Sequence, residues 1–141
     1  MAGTTVPEIY CWEITADDLK IYLASTRKGA LRIGLSLEIE SGCGAFFEKV
    51  FPNAIVRMDF HLNRPLIEGV EAALLNRPLT KHLDIDLSFT HFQWLTLKAI
   101  EMIPFGETRT YGEIGRMLGK PGSARAVGQA LKFNPLPLIF P

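Results

Sequence analysis

The residues of this 141-residue chain whose types and spacing suit chemistry lie between positions 110 and 134. Thr110-Tyr111-Gly112-Glu113 has the form of a capping box, in which a threonine hydroxyl and a glutamate carboxylate reciprocally satisfy open amide donors, so a helix is predicted to start there. Ile114, Met117 and Leu118 then make an inward stripe, and Gly119 supplies a left-handed stop. Pro121 and Gly122 turn the chain, Ser123 caps a second short helix, and Ala124, Val127, Ala130 and Leu131 stripe its inner side. Two helices across a tight turn make a helix-turn-helix. The outward face of the second helix is read as Arg125, Ala126, Gly128, Gln129 and Lys132, so small residues flank one arginine. Glycine at an exposed helix position costs about 1 kcal/mol against alanine. One physical reason to keep it is close approach: small side chains let the backbone lie near another surface while the arginine reaches in. The other is that Ala124, Ala126 and Gly128 pack against their own domain.

The elements that must position these residues can be read from periodicity. Leu19, Ile21 and Leu23, then Leu31, Ile33, Leu35 and Leu37, alternate on either side of Thr26-Arg27-Lys28-Gly29, which predicts a hairpin. Glu8–Thr15 is a preceding strand with Ala16-Asp17-Asp18 as its turn, Cys43–Phe51 a helix cut off by Pro52, and Ala54–Met58 a further strand. Pro65–Leu75 carries Leu66, Val70 and Leu74 at spacing four, with Pro65 in the first helical turn. A linker is expected around Asn76–Leu87. After it, Thr90 caps a helix whose Phe92, Leu95, Leu97 and Ile100 share a face, ending before Pro104. The expected fold is therefore an α/β (α+β) domain with a small sheet over residues 1–87, followed by a mostly helical, winged-helix-like domain over residues 88–141.

Composition narrows the function. Hydrophobic residues make up 48% and charged residues 21%, enough apolar material for a packed core, which argues against global disorder, collagen and a disulfide scaffold. No stretch approaches the roughly 20 consecutive apolar residues of a membrane helix, and the Met1-Ala2-Gly3-Thr4-Thr5 start lacks a signal-peptide pattern, so a cytoplasmic monomer away from membranes is expected. The net charge of zero hides an asymmetry. Residues 1–87 hold nine Lys and Arg against twelve Asp and Glu, whereas residues 88–141 hold six against three. A basic second half fits a polyanion, because neutralising phosphates with Lys and Arg supplies most non-specific nucleic-acid affinity. Cys11 and Cys43 sit in separate segments without a Cys-x-x-Cys, and His61, His82 and His91 lack helical i, i+4 partners. No metal site is expected; the thiols read as buried or incidental and the histidines as surface or hydrogen-bonded side chains. A small-molecule enzyme finds no paired carboxylate, Ser-His pair or glycine-rich phosphate loop to support it.

Ile103-Pro104-Phe105-Gly106-Glu107-Thr108, Thr110-Tyr111-Gly112-Glu113-Ile114, the run Gly119–Gly128 and Asn134-Pro135-Leu136-Pro137 together resemble the O6-alkylguanine-DNA alkyltransferases. The motifs run in the family's order over about forty residues, and Phe92 with its helix fits the preceding segment; the first half is similar only in layout. The resemblance implies repair by transfer of the alkyl group from guanine O6 to the protein's own cysteine, once per molecule and without a cofactor. It also implies binding to double-stranded DNA through a minor groove about 6 Å wide, with the lesion extruded. By position Arg125 corresponds to the arginine that fills the space of the extruded base. Tyr111 corresponds to the catalytic tyrosine that crowds the adjoining phosphate and assists loss of the alkyl group. Ser123, Ala124, Ala126 and Gly128 correspond to the close-packed DNA-binding face, joined by Gln129 and Lys132, and Asn134 to the asparagine that hinges this helix to the active-site loop. A first-turn packing role for Tyr111 and a plain helix-ending turn at Asn134 are the alternatives from the residues alone.

The family continues after this stretch with its reactive cysteine in Pro-Cys-His-Arg, whereas the sequence ends at Pro141. The acceptor, its histidine partner, a later glutamate and the final helix are absent, so the second domain is expected to be incomplete. Neither Cys11 nor Cys43 substitutes, since neither lies in the matching half or in a basic setting that lowers a thiol's usual pKa of about 8.5. Leu136, Leu138, Ile139 and Phe140 form an apolar, strand-like run of the kind buried against later chain. Three explanations follow: a fragment, a DNA-binding relative that does not repair, or a selenocysteine whose UGA codon is read as termination. A selenol ionises more readily than a thiol and serves the same nucleophilic role, and a stop codon other than UGA eliminates that explanation. The expectation is a chain that binds alkylated DNA without dealkylating it. The competing class is a non-catalytic DNA-binding, lesion-sensing or regulatory protein reading the major groove, which the small-residue face disfavours because major-groove readers project long polar side chains.

Overall fold

The computed structural model describes residues 6–37, 42–78, 81–87, 90–104, 106–132 and 134–139. The chain divides into two compact units, residues 1–87 and 88–141. Among the described residues no helix is long and apolar enough to cross a membrane.

The first unit is a four-stranded mixed sheet with helices on both faces. Strands β1 (Glu8–Ala16), β2 (Leu19–Thr26) and β3 (Gly29–Ser36) form an antiparallel meander, and β4 (Ile55–Met58) adds parallel to β1, giving the order β3-β2-β1-β4. Ala16 pairs with Leu19 across a two-residue turn in which Asp17 takes φ 52°, a conformation aspartate tolerates better than most residues. Ile21 through Ser25 are buried throughout, as expected of a central strand covered on both sides. On one face Cys11, Tyr22 and Ala24 pack with Phe47 of α1 (Cys43–Val50). On the other, Trp12 meets Phe60 of α2 (Phe60–Leu74) edge to face, with ring centroids 5.5 Å apart.

Helix α2 begins five residues earlier than the proline spacing predicted. Asp59 is its cap, its Oδ1 accepting from the Leu62 N–H at 2.9 Å, and Pro65 lies inside the helix rather than in its first turn. The early start brings Asn63 under the sheet, where Nδ2 donates to the backbone oxygens of Tyr10 and Asp59 at 3.0 and 2.9 Å. The bond to Tyr10 ties α2 to β1, the bond to Asp59 holds the start of the helix, and together they offset the backbone hydrogen bond that Pro65 cannot donate.

The expected linker is also partly built into the sheet. Ala30 donates to Asp84 O and Asp86 N donates to Ala30 O, both at 2.8 Å, so Ile85 bridges in parallel to the β3 edge and Leu83 is buried. Gly29 makes room for this crossing. It holds φ 150°, and a Cβ there would lie 2.5 Å from the Asp84 carbonyl carbon and oxygen. Thr26 Oγ1 clamps the same segment by donating to Asp86 at 2.6 Å.

The second unit is helical: α3 (His91–Glu101), α4 (Tyr111–Met117) and α5 (Ala124–Lys132). Thr90 and Gln93 form a full capping box at α3, with bonds of 3.1 and 2.9 Å. Ala99 and Ile100 of α3, Ile114 of α4 and Val127 of α5 make the core, with Phe92, Ile103, Leu118 and Leu131 packed against it. Thr96, buried at the same level, donates its hydroxyl to Phe92 O at 2.8 Å. The whole is an α+β unit followed by a helical unit that contains a helix-turn-helix.

Candidate nucleic-acid interface

Helix α4 starts where the capping motif placed it. Thr110 Oγ1 accepts from the Glu113 N–H at 3.1 Å, so the threonine half of the box forms, with Glu113 in the first turn where a carboxylate favours the helix dipole. Gly119 at φ 72° ends the helix, its N–H donating to Arg116 O at 3.0 Å, and Lys120 N donates to Gly115 O at 2.9 Å. Gly122 at φ 82° completes the turn. Both glycines hold a backbone conformation that side chains resist.

The inward stripe of α4 differs from its expected form. Ile114 is buried and Leu118 packs against the core, but Met117 is 50% exposed. Its place is taken by Gly115, where an added Cβ would stand 2.5 Å from Ser123 Oγ and 3.1 Å from Lys120 O. The turn between α4 and α5 is thus packed directly on the α4 backbone. Ser123 does not cap α5 with its side chain as expected. Its hydroxyl donates back to Lys120 O at 2.6 Å, while its carbonyl accepts from Val127 N at 2.9 Å and opens the helix.

Helix α5 buries Val127 and Ala130 and leaves Ala124, Arg125, Ala126, Gln129 and Lys132 exposed. Ala124, expected in the inner stripe as well as on the outer face, lies on the outer one. Arg125, Gln129 and Lys132 recur at spacings of four and three, which sets them in one row along the helix. Among the described residues Arg116 and Arg125 make no ion pair, and Lys120 extends over the Phe92 ring at 5.4 Å. The loop ahead of α4 is different: Arg109 pairs with Glu107 at 3.7 Å.

Tyr111 and Gly128 meet. A Cβ on Gly128 would lie 3.1 and 3.2 Å from two ring carbons of Tyr111, so the absence of a side chain is what lets the ring lie on α5. Own-domain packing therefore accounts for Gly128, while Ala124 and Ala126 remain on the open face. Tyr111 keeps 52% of its surface exposed, so the ring leans on α5 without being buried by it. Asn134 ends the helix: its N–H donates to Leu131 O at 3.2 Å, and its Oδ1 accepts from Leu136 N at 3.0 Å. That side-chain bond starts a succession of turns through Ile139 in place of the expected strand-like run. Leu136 is fully buried, and Leu138 at φ 76° breaks the extended path. Phe140 lies outside the described residues.

The structure thus brings Tyr111 onto the helix that carries Ser123, Ala124, Arg125, Ala126, Gly128, Gln129 and Lys132, with Asn134 at the far end. Among the described residues no three His, Cys, Asp or Glu side chains gather as a metal would need. His61, His82 and His91 are exposed, and His82 lies 3.2 Å from Asp84.

Residues 91–141 match the family model described as 6-O-methylguanine DNA methyltransferase, DNA binding domain. The methylated-DNA–protein-cysteine methyltransferase of Mycobacterium tuberculosis is 51% identical over 59 residues, 42% of this chain and 36% of that protein. The inducible enzyme of that name from Bacillus subtilis is 27% identical over 138 residues, 98% of this chain and 77% of that protein. The crystal structure of Mycobacterium tuberculosis O6-methylguanine methyltransferase superposes with TM-score 0.64 at 28% identity, covering 94% of this chain and 75% of that one. The same organism's OGT in complex with DNA superposes with TM-score 0.65 at 27% identity over 95% and 74%. The chain spans little more than a third of the mycobacterial relatives it matches at high identity. The class these comparisons define is a small mixed-sheet unit joined to a methyltransferase-type helix-turn-helix. The comparisons support the O6-alkylguanine-DNA alkyltransferase family: residues 91–141 match its DNA-binding domain, and nearly the whole chain is similar to its members in sequence and fold.

Proposed function

We propose that this protein is a DNA-repair alkyltransferase that works as a monomer, binding double-stranded DNA through the minor groove and taking an alkylated guanine out of the stack. The observation that carries this reading is the open face of α5, where an exposed Arg125 stands between Ala124 and Ala126 with the Tyr111 ring seated on Gly128. A groove about 6 Å wide cannot take a helix studded with long side chains, whereas alanines let the backbone approach and one guanidinium extend into the stack. In this reading Arg125 fills the space left by the extruded base, and Tyr111 presses on the neighbouring phosphate and helps the alkyl group leave. Ser123, Ala124, Ala126, Gly128, Gln129 and Lys132 line the contact. Asn134, through its bond to Leu136 N, hinges α5 to the loop that carries the chemistry.

In this family the alkyl group passes to a cysteine that follows the stretch matching Asn134–Pro141. The acceptor is assigned to the position directly after that stretch.

The test is binding of the chain to matched duplexes with and without one O6-methylguanine. Tighter binding to the lesion, lost in Arg125→Ala while Arg116→Ala lowers affinity for both duplexes equally, is the expected result. Equal binding to both duplexes, unchanged by Arg125→Ala, refutes the lesion-extruding role and leaves a non-catalytic DNA-binding or regulatory protein.

A further inference from the structure

Cys11 and Cys43 lie 32 positions apart in sequence, one in the middle of β1 and the other at the first residue of α1, yet their sulfurs share a hydrogen bond at 3.1 Å. Both side chains are buried, 0% and 1% exposed, in the apolar layer made by Ile9, Tyr22, Ala24 and Phe47. A disulfide holds its sulfurs about 2.05 Å apart, so closing this pair takes a movement of about 1 Å. That is within what a helix end allows. We propose that Cys11 and Cys43 are a disulfide-forming pair, a modification site whose reaction partner is a low-molecular-weight disulfide.

The reaction has a route and an order. Helix α1 is eight residues long, no acidic residue stands in its first turn, and the side-chain bond at its start is a long one, 3.4 Å from the Cys43 N–H to Glu13 Oε1 on β1. An N-terminus held this weakly frays, and fraying of the first turn uncovers Cys43 while Cys11 stays in the strand. Cys43 is also the sulfur that ionises. Its thiol is held below its ordinary value, first because the thiolate receives the Cys11 hydrogen bond and then through backbone N–H groups at the helix start, against the opposing effects of burial and of Glu13. The same bond, burial and Glu13 push Cys11 upward. The Cys43 thiolate attacks one sulfur of R–S–S–R, forming a Cys43–S–S–R bond and releasing R–S⁻, which takes up a proton. Cys11, no longer bonded to a thiolate, then gives up its proton and attacks the Cys43 sulfur. The Cys11–Cys43 bond forms and the second R–S⁻ leaves. The protein loses two hydrogens and the small disulfide becomes two thiols.

The experiment treats the folded, reduced chain with oxidised glutathione and follows intact mass, free thiols and size. The expected result is loss of both thiols together, a monomer lighter by two hydrogens, a raised melting temperature, and recovery by dithiothreitol. Cys11→Ala should stop with one glutathione on Cys43. Should that variant fail to fold, peptide mapping of early time points on the unsubstituted chain gives the same information, glutathione appearing on Cys43 and not on Cys11. Two thiols that resist in the folded chain but react after denaturation overturn the proposal, as does a persistent glutathione adduct or a disulfide-linked dimer of the unsubstituted protein. The outcome is independent of whether the second unit binds DNA.

Discussion

Gly128→Ala probes whether Tyr111 is seated by α5 or merely lies near it. An alanine methyl would stand 3.1 and 3.2 Å from Cε2 and Cδ2 of the ring, closer than carbons comfortably approach. Because the ring is half exposed it can swing outward, at an off-rotamer cost on the order of 0.5–1.5 kcal/mol. The same substitution gains about 1 kcal/mol of helix propensity. The two effects nearly cancel, so Gly128→Ala alone should change unfolding free energy by less than about 0.5 kcal/mol. In a Tyr111→Ala background nothing resists the methyl, and the full gain of about 1 kcal/mol should appear. The coupling is thus about 1 kcal/mol, measurable in a urea double-mutant cycle. An equal increment of stability in both backgrounds would falsify the contact. Binding to a lesion duplex is read on the same four proteins. If Gly128→Ala weakens binding in the parent chain and not beside Tyr111→Ala, position 128 acts through the ring. If it weakens binding equally in both, the backbone at 128 itself meets the duplex and own-domain packing is the wrong account of this glycine.

Three further outcomes follow from the packing and from one titrating pair. Gly115→Ala places a Cβ 2.5 Å from Ser123 Oγ and should destabilise the second unit by about 1–3 kcal/mol through overpacking. Adding Ser123→Ala should recover only part of this, because Lys120 O remains at 3.1 Å; full recovery would show that the backbone is not in the way. Thr110→Ala removes the cap bond to Glu113 N and should cost about 1 kcal/mol in denaturant unfolding, with Thr110→Ser restoring most of it; no loss on the alanine change would discard the cap. Glu8 accepts the Tyr10 hydroxyl at 2.6 Å, and that bond holds its carboxyl below the usual range against the opposing effect of burial, with lesser help from Arg57 and Arg27. A depressed carboxylate stabilises the fold above its unfolded value and loses that contribution as pH falls through the folded one. Tyr10→Phe should therefore flatten the acid limb of the stability curve while leaving the slope near neutrality unchanged, and an identical acid limb in the variant would remove Glu8 from the account.

Local signals in the sequence reached far, and they failed where distant segments decide. The hairpins were legible because a period of two with turn residues between is almost self-sufficient, and the start of α4 because Thr110 and its following residues make a local motif. Pro65 suits a first turn and so points to a start five residues too late for α2; the stronger signal is Asp59, three residues before the Leu62 N–H it caps. Residues Asn76–Leu87 read as a linker since nothing nearby shows that Gly29 clears a path for the end of that stretch along β3. At the interface Arg125, Tyr111 and Gly128 were each visible, but not that the last two touch. Gly115 plays no part in the stripe pattern, yet an isolated glycine inside a helical pattern is a known sign of close packing. The Cys11–Cys43 contact had no local signal, being made only when α1 folds across the sheet.

The two glycines divide the labour of the helix-turn-helix in a way that bears on the proposed approach of α5 to DNA. Gly115 is buried and lets the turn press onto α4, fixing α5 at its N-terminal end, whereas Gly128 is near the surface and receives a ring from the start of α4. Helix α5 is thus held from α4 at two heights, at Ser123 and at Gly128, about one and a half turns of backbone apart, while its core contacts come from Val127 and Ala130. An α-helix with side chains is about 10–12 Å across, wider than a minor groove of about 6 Å, so entry depends on which side chains are missing from the leading edge and on the helix not rocking as it enters. In the proposed minor-groove reading, alanines at 124 and 126 supply the narrow edge, the clamps at 115 and 128 the rigidity, and the row of Arg125, Gln129 and Lys132 the polar contacts. Loosening either clamp should therefore reduce lesion selectivity more than general affinity, because counterion release needs only nearby charge whereas filling an emptied stack needs the guanidinium held in place.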